Sequence, residues 1–318
     1  DRLFEIVAKH KITHLGVDLR KRHRPAWYWN PLRLDLDLPR IREGGLDALV
    51  FMLYGAYRFD PGHRRDWKKT LAVRRLLGEC AGQLDLVTRA SGLDRARRDG
   101  RTAMLLGVEG AEALAEAPER LLELHALGVR SMGPLWNRSN TFGVSARDED
   151  NPAGLTARGR ELVRECNRLG LMVDVSHAGP RTILDMIEVS AAPVYCSLTA
   201  AKSVTPHWRN LDDAILAAIG RKGGVIGVIF CPFFLGGPLA SIERLCDHIE
   251  HVAKVAGPQA VALGSDFDGM IPLPRGMRDV RDLPRITEAL HRRGWREPEL
   301  RGVLGENFRR YFERVCGI

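Results

Sequence analysis

Four residues of this chain are of the type, and in the kind of position, that metal or acid–base chemistry requires: Asp18, Glu109, His177 and Asp266. Each stands at the end of an apolar run that reads as a buried strand. The most explicit case is Gly264-Ser265-Asp266-Phe267-Asp268-Gly269, where Ala260-Val261-Ala262-Leu263 leads into two acids and stops at a glycine. Carboxylate oxygens and imidazole nitrogens are the natural ligands of divalent ions, and an ion that keeps one position open can activate water. Singly, each residue has an ordinary explanation. A histidine after an apolar strand is commonly a satisfied core residue, and an aspartate there commonly caps the next helix. The joint placement carries the argument.

For four strand ends to converge, the fold must place parallel strands side by side. Eight apolar runs serve as strand candidates: 12–18, 48–54, 103–109, 129–135, 171–177, 193–198, 225–230 and 260–267. Between and after them lie helical stretches at 71–90, 118–127, 156–169, 180–190, 211–219, 240–255, 283–293, 297–304 and 307–315. Gly128, Gly170 and Gly220 stand where helices should stop, and Pro180 suits a first turn. Eight strands alternating with helices predict an α/β fold: a single (β/α)8 TIM barrel over residues 1–318, with extra C-terminal helices. A doubly wound sheet is the alternative, but no glycine-rich phosphate loop follows an early strand. In a barrel of this kind the carboxyl ends of the strands form the active-site mouth.

The 318 residues are 45% hydrophobic and 28% charged, which suits a large soluble core. The formal charge of +8 raises nucleic acid as a partner. The arginines, however, are scattered over helices with acids beside them, and no nucleic-acid motif accompanies them, so that partner is set aside. No run reaches the roughly 18 apolar residues of a membrane span, so no membrane association is expected. The start, Asp1 to Glu5, lacks a secretory-leader pattern, and six scattered cysteines form no CxxC pair. A cytoplasmic protein is expected.

Longer motifs extend the pattern. Leu38 to Leu46, Leu106-Gly107-Val108-Glu109-Gly110, the run Glu165 to His177, Arg209-Asn210-Leu211 and Gly264 to Gly269 occur in the order found in the membrane (renal) dipeptidases of the amidohydrolase-like metallopeptidases, which the chain resembles along almost its whole length. The resemblance implies the barrel already inferred, a centre of two zinc ions, and a homodimer. It implies metal ligands at Asp18, Glu109, His177 and Asp266, with Asp266 also the catalytic proton shuttle. It implies substrate contacts from Arg209, which would hold a carboxylate, and from Trp136 and Asn137. A guanidinium fork suits a carboxylate bidentately.

Two ligand positions depart from that family's pattern. Gly16-Val17-Asp18 stands for an expected His-x-Asp, and Ser197-Leu198-Thr199 for an expected Ser-His-Ser. Neither glycine nor leucine offers a donor. His14, on the same strand face as Asp18, lies roughly 13 Å deeper. His23 and His207 sit in loops, and His207 precedes the Arg-Asn pair as in bacterial members with complete sites. The expectation is at most one divalent ion, zinc by the resemblance, or none. The loop Arg20 to Trp29, basic and aromatic, should overhang the mouth, as a lid for an anionic or aromatic substrate or as a solvated loop. Two functional readings follow. In one, a divergent dipeptidase-like enzyme acts on a peptide-like or amino-acid-derived small molecule bearing a carboxylate, with altered chemistry in a specialised biosynthetic pathway; an intact zinc dipeptidase is its conservative form. In the other, the barrel mouth binds a ligand or partner without catalysis.

Overall fold

A computed structural model describes residues 35–54 and 82–317. Within them the chain forms eight strands: β1 (Ala48–Tyr54), β2 (Leu84–Leu86), β3 (Thr102–Glu109), β4 (Val129–Gly133), β5 (Met172–Val173), β6 (Tyr195–Thr199), β7 (Val225–Ile229) and β8 (Val261–Gly264). All the paired strands run parallel. One sheet has the order β1-β3-β4-β5, with β2 added beside the start of β3, and the other has the order β6-β7-β8. An isolated bridge between Asp174 and Tyr195 links β5 to β6. From β2 onward helices separate the successive strands, and the architecture is an α/β barrel of the TIM type with three helices after β8: Pro284–Arg292, Glu297–Arg301 and Asn307–Cys316. The expected first strand, 12–18, and the loop Arg20 to Trp29 lie outside the described residues.

The strands read as near-continuous apolar runs because both of their faces are covered. On the inside, Ala103, Leu105, Met172, Tyr195, Val225 and Ala262 form one buried cluster with Tyr311 and Phe312 of the last helix. These residues lie toward the strand starts, so the C-terminal helix closes the end of the barrel opposite the mouth. Tyr195 is central there: its hydroxyl meets Ser131 Oγ at 2.5 Å, and its ring lies 5.4 Å from that of Tyr311.

Three expectations shift. The helix expected over 71–90 gives way, in its described part, to strand β2, with the helix beginning only at Ala90 and running to Arg98. Leu84-Asp85-Leu86 alternates with a period of two and follows Gly82 in the left-handed region (φ 86°), a turn that admits a strand rather than continuing a helix. Gly170 does terminate its helix in the left-handed conformation (φ 67°), but Gly220 does not. That helix runs Asp213–Arg221, and Gly220 packs against the Ala256 backbone, where a Cβ would collide. Finally, the fifth strand is shorter than the apolar run 171–177. Asp174 Oδ1 accepts the backbone N–H groups of Ser176 and Ser197, both at 3.0 Å, so a side chain takes positions a strand ladder would use.

Candidate active site at the barrel mouth

Glu109 is the last residue of β3, and His177 follows β5 in the left-handed conformation (φ 66°). Asp266 follows β8 and is also left-handed (φ 54°). A left-handed backbone is uncommon for non-glycine residues, though histidine and aspartate tolerate it better than most. Its presence at two of the expected chemical positions matches the tendency of functional sites to hold local strain. Each turn is secured. His177 O accepts from Ala146 N at 2.8 Å, and Gly179 N donates to Val144 O at 2.9 Å. Gly269 N donates to Asp266 O at 2.9 Å, and a Cβ at Gly269 would collide with the Asp266 carboxylate, so the glycine that ends the motif makes room for the acid.

One cavity is lined by Glu109, Trp136, Asn137, His177, Leu198, Arg209 and Asp266. The structure therefore brings together every expected site residue among those described; Asp18 lies outside them. His177 Nε2 stands 2.8 Å from Glu109 Oε1, and Nδ1 is 2.8 Å from Asn137 Oδ1. The Trp136 ring lies 6.2 Å from the imidazole. His177 Nε2 is buried and has no hydrogen-bond partner among the described residues, so its approach to Glu109 is close contact without the geometry of a bond. Burial pushes the Glu109 carboxyl up to about 7, against the pull of Arg209. Burial, reinforced by Arg209, holds the His177 imidazole well below its usual range.

Arg209 is 2% exposed. Among the described residues its guanidinium makes one hydrogen bond, from Nη2 to Leu198 O at 3.4 Å, and lies 5.7 Å from the centre of the Phe234 ring. It lies in the field of Glu109, Asp266 and Asp174 without forming an ion pair among the described residues. The surrounding loop is tied down at several points. Thr199 Oγ1 donates to Arg209 O at 3.0 Å, and Asn210 Nδ2 donates to Thr205 O and Phe234 O, both at 2.8 Å. His207 stacks on Phe234 at 4.3 Å, and its Nδ1 accepts the Arg209 N–H at 3.1 Å. That histidine is engaged in holding the arginine and its neighbouring ring. His14 and His23 lie outside the described residues.

Leu198 is buried at the cavity wall, where the resembled family would place an imidazole. Among the described residues no group of three His, Cys, Asp or Glu side chains is set to hold a metal. The described donors offer a buried imidazole nitrogen, His177 Nε2, facing the Glu109 carboxylate.

Asp174 escaped attention in the sequence. It is 1% exposed, bonds the Ser176 and Ser197 amides, and so fixes the turn before His177 against the strand that carries Leu198. An acid inside an apolar run was the available signal. His248 was also missed. It is fully buried in the helix Ile242–Ala256, with Nδ1 accepting the Ala201 N–H at 3.1 Å and Nε2 facing Thr205 Oγ1 and Leu235 O, both at 3.3 Å. It supports the loop that presents Arg209.

With this geometry in place, a family-wide comparison becomes decisive. The membrane dipeptidase model (peptidase family M19) matches residues 7–317. The chain belongs to the membrane dipeptidase family. It is 36% identical to mouse (Mus musculus) Dipeptidase 3 over 298 residues, 90% of this chain, and spans 59% of that protein's length. It is 35% identical over 262 residues to a Klebsiella pneumoniae protein described as "Uncharacterized protein in pqqA 5'region", covering 78% of this chain and 95% of that one. A Rhodobacter sphaeroides metallopeptidase, solved with a phosphinate mimic of the dipeptide L-Ala-D-Ala, superposes with a TM-score of 0.83 at 29% identity, covering 99% of this chain and 97% of that chain. Membrane dipeptidases are zinc-dependent, which gives the Glu109–His177 pair its chemical context.

Proposed function

We propose that this chain is a divergent dipeptidase-like enzyme acting on a peptide-derived or amino-acid-derived small molecule with a free carboxylate, with an incomplete metal centre that takes one divalent ion or none. The observation that carries this reading is Arg209: a buried cation at the cavity wall, with no ion pair among the described residues. A buried charge without a partner is costly, and an anionic ligand would supply one. Phosphinate-mimic binding by the Rhodobacter neighbour supports a dipeptide-like ligand here. Glu109 and His177, with Asp266 and Asp18, would hold one ion, zinc by family membership. Such an ion, when bound, acidifies water and polarises a carbonyl. Arg209 orients the substrate through its carboxylate, Trp136 screens the imidazole from solvent, and Asp266 moves a proton at its carboxylate oxygen. Leu198 supports the incomplete centre, because a second ion would lack the imidazole that position gives other members.

The test is binding of a Gly-Xaa dipeptide and of its C-terminal amide to the wild type and to Arg209→Met. The dipeptide should bind the wild type at least tenfold more tightly than the amide, with the preference lost in the variant. Equal binding of both ligands by the wild type overturns the carboxylate reading. Metal analysis should find no more than one dication per chain, and two per chain would restore the complete binuclear dipeptidase. Turnover lost in Asp266→Asn would support the enzymatic reading, and binding without any turnover of peptide-like compounds would favour the non-catalytic one.

A further inference from the structure

The loop between β4 and the helix Ala157–Leu169 does more at the mouth than line it. It is pinned at both ends. Asn140 Nδ2 donates to Pro134 O at 2.9 Å, and Ser145 Oγ donates to Trp136 O at 2.9 Å. Ser145 N donates to Ser139 Oγ at 2.9 Å. The same loop then grips the main chain of His177, through an isolated bridge between Ser145 and Ala178 and through Ala146 N to His177 O at 2.8 Å. One rigid segment thus holds the left-handed backbone of His177 and carries, nine residues earlier than Ala146, the Asn137 amide that meets its ring.

We infer that Asn137 is the positioning residue for His177, fixing the tautomer with the proton on Nδ1 and leaving the Nε2 lone pair facing Glu109. The argument is one of donor inventory. An amide oxygen can only accept, so the ring nitrogen 2.8 Å from Asn137 Oδ1 carries a hydrogen. A neutral imidazole has one N–H, so Nε2 is bare. The structure places that nitrogen in a buried position without a hydrogen bond, 2.8 Å from Glu109 Oε1. Two lone-pair-bearing atoms that close need a cation between them, a metal ion or a proton. Partners that orient a ligating histidine in this way are a general requirement of metal sites. Asn137 therefore acts through His177, a role beyond the substrate contact expected for it. The inference rests on the proposed reading of Glu109 and His177 as the metal-holding half of the mouth, but the tautomer itself can be read without any metal.

The experiment is 15N NMR of histidine side chains in full-length, metal-free protein, with the His177 signals assigned by their loss in His177→Gln. Wild-type His177 should show a protonated Nδ1 and a bare Nε2. Asn137→Leu should shift it toward the Nε2-protonated form, while Asn137→Asp, which keeps an acceptor, should retain the wild-type pattern. Thermal melting checks that each variant is folded. A bare Nδ1 in the wild type, or an unchanged tautomer in Asn137→Leu, overturns the inference. A Co2+ titration is the second arm: affinity should fall about 10–100-fold in Asn137→Leu and be preserved in Asn137→Asp. No Co2+ binding by the wild type, together with the expected tautomer, would sink the metal reading of the mouth and leave the positioning role standing.

Discussion

Two buried histidines flank the barrel mouth and are held in opposite ways. His248 is fully buried in a regular helix, with one ring nitrogen accepting from a backbone amide and the other facing a carbonyl and a hydroxyl. His177 is 7% exposed on a left-handed backbone, with one nitrogen hydrogen-bonded and the other without a hydrogen bond among the described residues. Burial depresses the basicity of both. The difference lies in satisfaction. His248 has both nitrogens matched to the protein, whereas His177, the proposed ion ligand, keeps one nitrogen unmatched among the described residues and sits on a strained backbone.

Stability measurements can break this contrast. His248→Ala removes the acceptor for Ala201 N–H and opens a hole beneath the Arg209 loop, so urea denaturation should show a loss of about 3 kcal/mol. His177→Gly removes a strained non-glycine turn and a buried unmatched nitrogen. Metal-free protein with that change should stay within about 1 kcal/mol of the parent. Equal losses in the two variants would mean that both histidines are structural.

A pH series sharpens the same contrast. Burial pulls His248 from its ordinary value down to about 4, with Arg244 and His251 pushing the same way and Asp247 and the Leu235 carbonyl opposing. The unfolded chain therefore binds a proton more readily than the folded one between about 6.5 and 4. Stability from this group is complete above that window and is lost as the pH falls through it, by on the order of 3 kcal/mol. In His248→Gln that share of the acid sensitivity should vanish, so the denaturation midpoint should change less between pH 7.5 and 5. An unchanged slope would show that the His248 imidazole takes up its proton as readily in the fold as in the unfolded chain.

Smaller effects lie at the border between the regions. Phe234→Leu removes the ring beneath Arg209, a cation–π contact worth about 1 kcal/mol, and should weaken a carboxylate ligand about fivefold in a calorimetric titration. No change would mean that the loop hydrogen bonds alone hold the guanidinium. Met270, half exposed at the cavity with φ 61°, is the weakest probe. Met270→Gly should raise the melting free energy by about 0.5 kcal/mol, strain relief slightly exceeding the glycine entropy cost.

Much of this was legible in the sequence, because parallel barrel strands are buried on both faces and show as apolar runs. The carboxyl ends of those runs, at Glu109, His177 and Asp266, all line one cavity. Three things were not legible, each for a physical reason. Leu84-Asp85-Leu86 is too short for its period to outweigh the helical spacing around it. Gly220 looks like a stop signal but serves helix–helix packing, and no local pattern separates the two. Asn137 reads as a pocket residue. Its engagement with His177 depends on a loop that folds back across some forty positions of sequence, a contact that spacing does not encode.

The step from β5 to β6 has a further consequence. Sheet pairing there narrows to the bridge between Asp174 and Tyr195, reinforced by the Asp174 carboxylate. This makes the step a seam between two cooperative units, and amide hydrogen exchange should cross it unevenly, with Ser197 losing protection before the interior of β7. Glu109 and His177 stand on one side of the seam, Arg209 and Asp266 on the other. Breathing along that line would part the proposed ion-holding half of the mouth from the proposed carboxylate-holding half while leaving each half internally intact.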